Sequence, residues 1–376
     1  MAYTTIDDPT AHFQTQLHTG TSGGGDEIVF DGNSAMQPDM IWVKARTTAY
    51  WHQIHDSSRG AGDGAIYPNT TAAGSTSYID SFDSDGWQEH NANDAISANG
   101  DNVVTWAWKA NGGTTTSVSE SGSGNGGINA CTYQANTTAG FSIIKYTGHR
   151  GSGIGDNNHT NVTHGLSSAP TFVIIKNLQS GHTLPWVVLG TELGEYSGSF
   201  ANRHMKLNDN SARDGGDYVS NVAPSSSYVF VGNNNDVNGD GHEFIMYAWH
   251  EVQGYSKFGI YEGNGAVPNG TFIYTGFKPR FVLIKNIDAV ESWIMYDTKR
   301  DPFNLTSTKL SPDQANVENG ASGIGDAAYN NIDIYSNGFK CKSNNAAANG
   351  ADKTILYMAF AQEPFVTSSG VPATAR

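Results

Sequence analysis

The chain has 376 residues and a formal net charge of −15; only 15% of its residues are charged, and 44 are glycine. Such an acidic surface repels phosphate backbones and anionic lipids, which argues against a nucleic-acid partner, and no stretch is apolar enough to span a membrane. With only Cys131 and Cys341, a disulfide framework is excluded. Because glycine is abundant and Thr, Ser and Asn fill the polar positions, the composition favours a turn-rich all-β protein.

The N-terminal residues 1–12 are polar and are predicted to form an arm outside the folded units. They lack the basic end and apolar core of a signal peptide, so we expect the protein to be made and to fold in the cytoplasm. The first predicted β-sandwich unit follows over residues 13–113. Residues 114–140 begin with a run of Thr, Ser and Gly that cannot form a core, and are predicted to be a linker.

Two further β-sandwich units are predicted at residues 141–252 and 256–365, before a polar tail at 366–376. Only a few residues separate the last aromatic of the second unit from the first aromatic of the third. We therefore expect these two units to form a stiff pair.

The three predicted units carry the same sequence markers in the same order, which indicates internal repetition. Each contains an apolar run between a proline and a lysine at a constant interval, namely Pro38 to Lys44, Pro170 to Lys176 and Pro279 to Lys285. An aromatic or His residue lies two positions before a glycine ahead of each run (His18, Tyr146 and Tyr261), and a Trp follows it (Trp51, Trp186 and Trp293). A segment with Ala between two large residues closes each unit at Trp108, Trp249 and Phe360.

Within each unit the apolar segments are short, β-branched or aromatic, and bounded by Gly, Asn, Asp and Pro, which predicts strands. The runs that end at Lys44, Lys176 and Lys285 do not alternate with polar residues, so they are predicted to be central strands covered on both faces. The predicted fold is all-β, with three tandem antiparallel β-sandwiches.

Several phrases resemble the repeated β-sandwich domains of virion appendage and fiber proteins from tailed, especially marine, bacteriophages. They are the opening Met1–Pro9, Ser81–Gly86, Phe141–Gly148, His164–Leu166 with Ala169–Pro170, and Tyr357–Ala361. The similarity covers nearly the whole chain. It implies a lectin-like jelly-roll sandwich of the concanavalin type and a particle protein, either a tail fiber or a capsid-attached fiber, and it brings no catalytic residues with it.

Asp236, Asn238 and Asp240, followed by Gly241, match the first half of an EF-hand-type calcium loop. The glutamate required at the twelfth position is replaced by Tyr247, and the flanking segments read as strands. Two interpretations are open, a calcium site on these three residues and a hairpin turn with surplus acidic groups, and we favour the turn. No other cofactor is predicted.

Two acid–arginine pairs recur at one place, Asp56 with Arg59 and Asp297 with Arg300, whereas the second unit has Gly190–Leu193 there. We interpret them as ion pairs that hold a loop, in preference to catalytic carboxylates. The recurring residues Trp108, Trp249 and Trp293 could stack on sugars, but core packing is the favoured interpretation.

The functional hypothesis is a non-enzymatic structural protein of a phage particle. Its predicted partners are other virion proteins and further copies of itself, and a second hypothesis adds contact between the sandwich loops and a host-surface glycan. The alternative is a polysaccharide depolymerase acting on the host envelope; no acid pair for that chemistry is evident in the sequence.

Overall fold

The computed structural model of the chain describes residues 2–75, 79–90, 94–122, 124–149, 158–193, 203–216, 218–219, 221–319 and 331–374. The protein is almost entirely β, with antiparallel sheets throughout, so the predicted fold class is confirmed. None of the described helices is long and apolar enough to cross a membrane.

The first sandwich begins after a short 3₁₀ turn at Pro9–Ala11. Its elements are β1 (Phe13–Thr19), β2 (Glu27–Val29), β3 (Met40–Ala45), β4 (Gln53–Asp56), β5 (Ile79–Asp83), β6 (Gly86–Glu89), the helical turn α1 (Asp94–Ser97) and β7 (Asn102–Trp108). The large sheet has the order β1-β7-β3-β4, and the small sheet has the order β2-β6-β5.

The second sandwich contains an extended sheet of eight strands, ordered β15-β14-β13-β12-β17-β10-β9-β8, and a two-stranded sheet, β11-β16. Its elements are β8 (Thr116–Val118), β9 (Cys131–Asn136), β10 (Phe141–Thr147), β11 (Thr160–Thr163), β12 (Phe172–Asn177), β13 (Trp186–Gly190), a 3₁₀ turn (Thr191–Leu193), β14 (Arg203–Lys206), β15 (Asp214–Gly215), β16 (Tyr228–Val231), α2 (Asn235–Asn238) and β17 (Glu243–Trp249).

The third sandwich pairs a large sheet, β18-β24-β20-β21, with a small sheet, β19-β23-β22. Its elements are β18 (Ser256–Gly263), β19 (Phe272–Tyr274), β20 (Phe277–Asn286), β21 (Ile294–Asp297), β22 (Ile332–Tyr335), β23 (Gly338–Cys341), α3 (Ala346–Asn349) and β24 (Lys353–Pro364).

One strand order occurs in all three large sheets: the first strand, the closing strand, the strand carrying the proline-to-lysine run, and the strand after it. In the second sandwich this order is the β10-β17-β12-β13 portion of the eight strands. Three repeats of one unit would have to share one strand order, and the large sheets do share it. The internal repetition itself stays a prediction.

Each large sheet is covered on both faces, as the apolar runs predict. One face packs against its own small sheet, as Ile41 and Val43 do around the buried Trp87. The other face contributes to a core shared by all three sandwiches, where Trp108 lies 6.2 Å from Trp249 and 5.6 Å from Phe360 between ring centroids. Alternate residues of one strand therefore enter two different cores, which is why the runs lack polar positions.

The segment predicted as a linker over residues 114–140 is instead part of the second sandwich. Strand β8 lies at the edge of the eight-stranded sheet and pairs with β9, which pairs with β10. The Thr-rich composition predicts a segment without structure, but three β-branched or small residues suffice for an edge strand once a neighbouring strand offers its backbone groups.

The predicted N-terminal arm also packs onto the body of the protein. Ile6 is buried in the shared core, and Thr4 donates from its hydroxyl to the Gln253 carbonyl at 2.8 Å. Asp7 accepts a hydrogen bond from the backbone N–H of Ser368 at 2.6 Å, so both terminal segments lie together against the third sandwich. The prediction of a separate arm was wrong because one isoleucine in a polar segment gives no periodic signal.

Candidate interaction surface

The three predicted calcium ligands lie at α2 and in the turn that follows it. The Asp236 carboxylate accepts a hydrogen bond from the Tyr218 hydroxyl at 2.8 Å, and burial raises its pKa. Asp240 is exposed, whereas Asn238 is fully buried. No group of three or more His, Cys, Asp or Glu residues able to hold a metal occurs among the described residues. Calcium binding at these positions stays a prediction.

The buried amide of Asn238 has a structural role that explains the motif. Its Oδ1 accepts from the backbone N–H of His149 at 3.0 Å, just beyond the end of β10. Asn349 does the same in the third sandwich, accepting from the backbone N–H of Asn264 at 3.1 Å beyond the end of β18. An Asn before a Gly thus fastens the helical turn to the first strand of its sandwich. Asp236 lies within that turn in the second sandwich, and Asp240 follows it.

The aromatic or His residue before each marker glycine binds the same turn. Its side chain contacts a turn carbonyl in each sandwich: His18 to Ile96 (3.2 Å), Tyr146 to Val237 (2.5 Å) and Tyr261 to Ala348 (2.7 Å). The marker glycine is needed two positions later because the backbone at the end of the first strand nearly touches the backbone of the turn. A Cβ at Gly148 would lie 2.1 Å from the Gly239 carbonyl oxygen.

The two acid–arginine pairs are buried ion pairs, as predicted. Arg59 Nε lies 2.7 Å from Asp56 Oδ2, and Arg300 Nε makes the same contact with Asp297 Oδ2. Each aspartate also accepts from the backbone N–H of its arginine, at 2.9 Å and 2.8 Å. Because both carboxylate oxygens of each aspartate take part in these bonds, each pair fixes the loop that joins the aspartate to its arginine.

Each aspartate is shared with a neighbouring sandwich. Tyr247 donates its hydroxyl to Asp56 at 2.7 Å, and Trp106 donates its indole N–H to Asp297 at 3.1 Å. These donors occupy equivalent places in the closing strands. The third closing strand has Met358 there, and the second sandwich has Gly190 in the aspartate position. Donor and acceptor are thus missing together, so this place has neither a donor without its acceptor nor an acceptor without its donor.

The predicted Trp markers divide into core and surface. Trp108, Trp249 and Trp293 are buried, which confirms the core interpretation. Trp186 and Trp293 each donate an indole N–H to the preceding sandwich, to the Tyr67 carbonyl at 2.8 Å and the Lys206 carbonyl at 2.9 Å. In the first sandwich the equivalent strand position is occupied by His52, one residue after the half-exposed Trp51. The sequence marker at Trp51 is therefore one position away from the true equivalent of Trp186 and Trp293.

The three marker lysines are fully buried and bind backbone carbonyls. Lys176 Nζ contacts Thr71 O of the first sandwich at 2.9 Å, and Lys285 Nζ contacts Asn210 O of the second at 3.3 Å. Lys44 Nζ binds carbonyls of its own loop, at Ala45 and Thr48. Burial lowers the pKa of all three lysines to about 8. Lys176 and Lys285 thus link neighbouring sandwiches, and all three lysines are buried away from any ligand.

An exposed aromatic face lies on the outer side of the small sheet of the third sandwich. The strand registers put Tyr274, Gly338 and Tyr335 in one row, with Phe272 and Lys340 in the next. Phe272, Tyr274 and Tyr335 are 45%, 53% and 37% exposed, and the rings of Phe272 and Tyr335 meet edge to face at 5.8 Å. We call these three residues the aromatic face.

Exposed apolar groups continue beside this face. Asn304 bonds through its side-chain amide to both backbone groups of Ile334 in the outer strand β22, at 2.9 Å each. That contact fixes Phe303 and Leu305, which are 76% and 42% exposed, next to the sheet edge. Among the described residues, eight of the eleven exposed large apolar side chains belong to the third sandwich. Where such side chains also touch one another, as Phe272 and Tyr335 do, they form an exposed apolar patch of the kind typical of an interaction surface.

The first sandwich has the same outer rows without the aromatic side chains. Val29, Gly86 and Asp83 form one row, and Glu27 and Gln88 lie in the next. The aromatic face is not predicted from the sequence, because aromatic residues are interpreted there as core residues. The available signal was the alternation Phe272-Ile273-Tyr274, which puts Phe272 and Tyr274 together on the face opposite to Ile273.

The chain belongs to a family of domains of unknown function, DUF7483, whose model matches residues 8–364. One family domain therefore spans all three sandwiches, in agreement with the core that they share. No curated protein and no solved structure matches the chain.

Proposed function

We propose that this protein is a non-enzymatic structural component of a bacteriophage particle, an appendage or fiber subunit that docks to another virion protein through the aromatic face. The observation that supports docking is the aromatic face itself. Aromatic side chains are enriched at protein interfaces, and solvated Phe and Leu side chains gain from being covered.

The assignment to a particle rests on the sequence resemblance to phage appendage proteins. Two structural features agree with it. The shared core makes the three sandwiches a single body, and both terminal segments lie against the third sandwich, where Tyr3 donates to the Gly276 carbonyl at 2.7 Å. In this proposal the third sandwich faces the particle, and the loops of the other two project outward, where a host-surface glycan is the proposed contact.

The test is to purify particles of the encoding phage and measure the protein by quantitative mass spectrometry. We expect it in particles at a fixed copy number. Supplied in trans, the double variant Tyr274→Thr with Tyr335→Asp should melt like the wild type but be depleted from particles. The matched control, Val29→Thr on the first sandwich, should be incorporated normally. Detection only in the cytosol of infected cells would overturn the virion assignment, and normal incorporation of the double variant would overturn the docking surface.

A further inference from the structure

One edge of the large sheet in the third sandwich has no neighbouring strand among the described residues. It is the outer edge of β18, whose other edge pairs with β24. In the second sandwich the equivalent strand β10 has β9 at this place, with Thr132 opposite Lys145. An antiparallel strand is therefore compatible with this edge, and within the described part of the chain the third sandwich supplies none.

The backbone groups of this edge belong to the even-numbered residues of β18. On the side of β24, the Tyr255 carbonyl accepts from the Ala361 N–H at 2.8 Å, which places the odd-numbered residues on the paired side. Because successive residues of a strand direct their backbone groups to opposite sides, Phe258, Ile260 and Glu262 direct theirs outward. We call these outward backbone groups the open edge. Ile260 is 42% exposed, so the middle of the open edge is accessible.

Side chains of the same chain close the open edge at both ends. The Phe258 N–H donates to Glu251 Oε1 at 3.1 Å. The Thr271 hydroxyl donates to the Glu262 carbonyl at 2.7 Å. Four backbone groups remain without a hydrogen-bond partner in the described structure, namely the Phe258 carbonyl, both groups of Ile260 and the Glu262 N–H.

These four groups are complementary to themselves about Ile260. In an antiparallel pair, residues directly opposite each other exchange two hydrogen bonds, so Ile260 of one copy can exchange both with Ile260 of a second copy. The Glu262 N–H of each copy then lies opposite the Phe258 carbonyl of the other. A shift of two residues would instead put an Ile260 group opposite the Phe258 N–H or the Glu262 carbonyl, which are already bonded. We propose that two copies of this chain pair edge to edge along β18, about a two-fold axis at Ile260.

The proposed contact is closed and short. Both copies use the same edge, so none is left for a third copy, and Glu251 and Thr271 end the pairing on each side. The two exposed Ile260 side chains become cross-strand neighbours and cover each other. Four hydrogen bonds make a small interface, and each copy carries a net charge of −15, so association should depend on protein concentration and on salt.

The test is sedimentation velocity of the purified full-length protein over a concentration series, in roughly 0.5 M salt to screen the charge repulsion. We expect the mass to rise from one chain to two chains and no further. Ile260→Pro removes the central N–H and should keep the protein monomeric, whereas Ile260→Val keeps both backbone groups and should pair like the wild type. Because that N–H points away from β24, both variants should melt like the wild type.

A cross-link gives a second readout that does not depend on proline. In the proposed pair, residue 260 lies opposite itself with about 5.5 Å between the Cα atoms, which is within the range of a disulfide. Ile260→Cys should therefore form a covalent dimer under mild oxidation. Val290→Cys, at another exposed position of the third sandwich, should not, and both native cysteines are buried.

Four results would overturn the proposal: the mass of one chain at every concentration, growth beyond two chains, undiminished pairing of a folded Ile260→Pro, or equally fast cross-linking of Val290→Cys and Ile260→Cys. The double variant Tyr274→Thr with Tyr335→Asp should pair like the wild type. If it is monomeric instead, the contact between copies lies on the aromatic face and not on β18. These measurements use isolated protein, so their outcome is independent of whether the protein resides in a virion.

Discussion

In both the first and the third sandwich, a glycine in the middle strand of the small sheet lies between two outward-facing side chains. These neighbours are Val29 and Asp83 around Gly86 in one case, and Tyr274 and Tyr335 around Gly338 in the other. A Cβ at either glycine would lie 2.0 Å from a neighbouring carbonyl oxygen, so both positions exclude a side chain. The same strand arrangement therefore presents two different surfaces, and the difference lies in side chains outside the cores.

The inner faces of these two sandwiches are alike, and substitutions there should have the largest effects. Asp297→Ala removes the partner of the buried Arg300 and of the Trp106 indole, so we expect a loss of about 3–5 kcal/mol in the free energy of unfolding. Asp56→Ala should cost a similar amount. Denaturant unfolding measures both, with the exposed Glu262→Ala as a control expected within about 0.5 kcal/mol of the wild type. A small effect at one aspartate only would show that the two inner faces are not equivalent.

The buried lysines predict an unusual pH dependence that the two sandwiches share. Their pKa is about 8 in the folded protein and 10.5 for an ordinary lysine, so between these values the unfolded chain binds more protons. The free energy of unfolding should therefore rise as pH increases from 8 towards 10. Above about pH 10 it should fall, because burial holds the pKa of Tyr247 and Tyr296 well above that of an unfolded tyrosine.

Thermal or urea unfolding between pH 7 and 10.5 measures this dependence. Each lysine adds at most about 1.4 kcal/mol per pH unit to the slope. Lys44→Met and Lys285→Met should each reduce the slope by a similar share, since methionine fills the space without titrating. A slope that is flat in the wild type would contradict the assignment of buried, titrating lysines.

The inner construction of the sandwiches could be predicted from sequence, whereas their surfaces could not. The apolar run before Lys44 predicts a strand covered on both faces because no position in it is polar. The pair Asp56 and Arg59 predicts an ion pair through its spacing, but its partner Tyr247 lies 191 residues away and gives no local signal. The aromatic face was missed because the sequence does not state which side of a strand faces solvent until the register is known.

The helical turn before each closing strand should show an intermediate effect. Asn349→Ala leaves the Asn264 N–H without its acceptor, and Asn238→Ala does the same to the His149 N–H. We expect each substitution to cost about 1–3 kcal/mol, the desolvation penalty of an unpaired buried group. Chemical unfolding measures the loss, and Asp240→Ala on the exposed side of the turn should be neutral. A neutral Asn349→Ala would contradict the fastening role.

Calcium should have less effect than these substitutions. Because the Asn238 oxygen already accepts two hydrogen bonds and Asp236 accepts one from Tyr218, we expect identical melting curves with calcium and with chelator. A ligand held only by the folded state raises stability with its concentration. A rise in melting temperature with calcium that is lost in Asp236→Ala would establish the metal site and show that the turn rearranges to form it.

The smallest effect on stability is expected from moving the aromatic row from one sandwich to the other. Val29→Tyr with Asp83→Tyr places two tyrosines around Gly86, at exposed or partly exposed positions, so the free energy of unfolding should change by about 0.5 kcal/mol or less. Binding of an apolar dye should increase in this variant, and it should decrease when Tyr274→Thr and Tyr335→Asp remove the row from the third sandwich. If the aromatic side chains serve the fold, the second variant loses stability and the first gains none of the dye binding. If they serve an interface, both variants melt like the wild type and differ only in what their surfaces bind, because a side chain on the outer face of a covered sheet contributes little to the core beneath it.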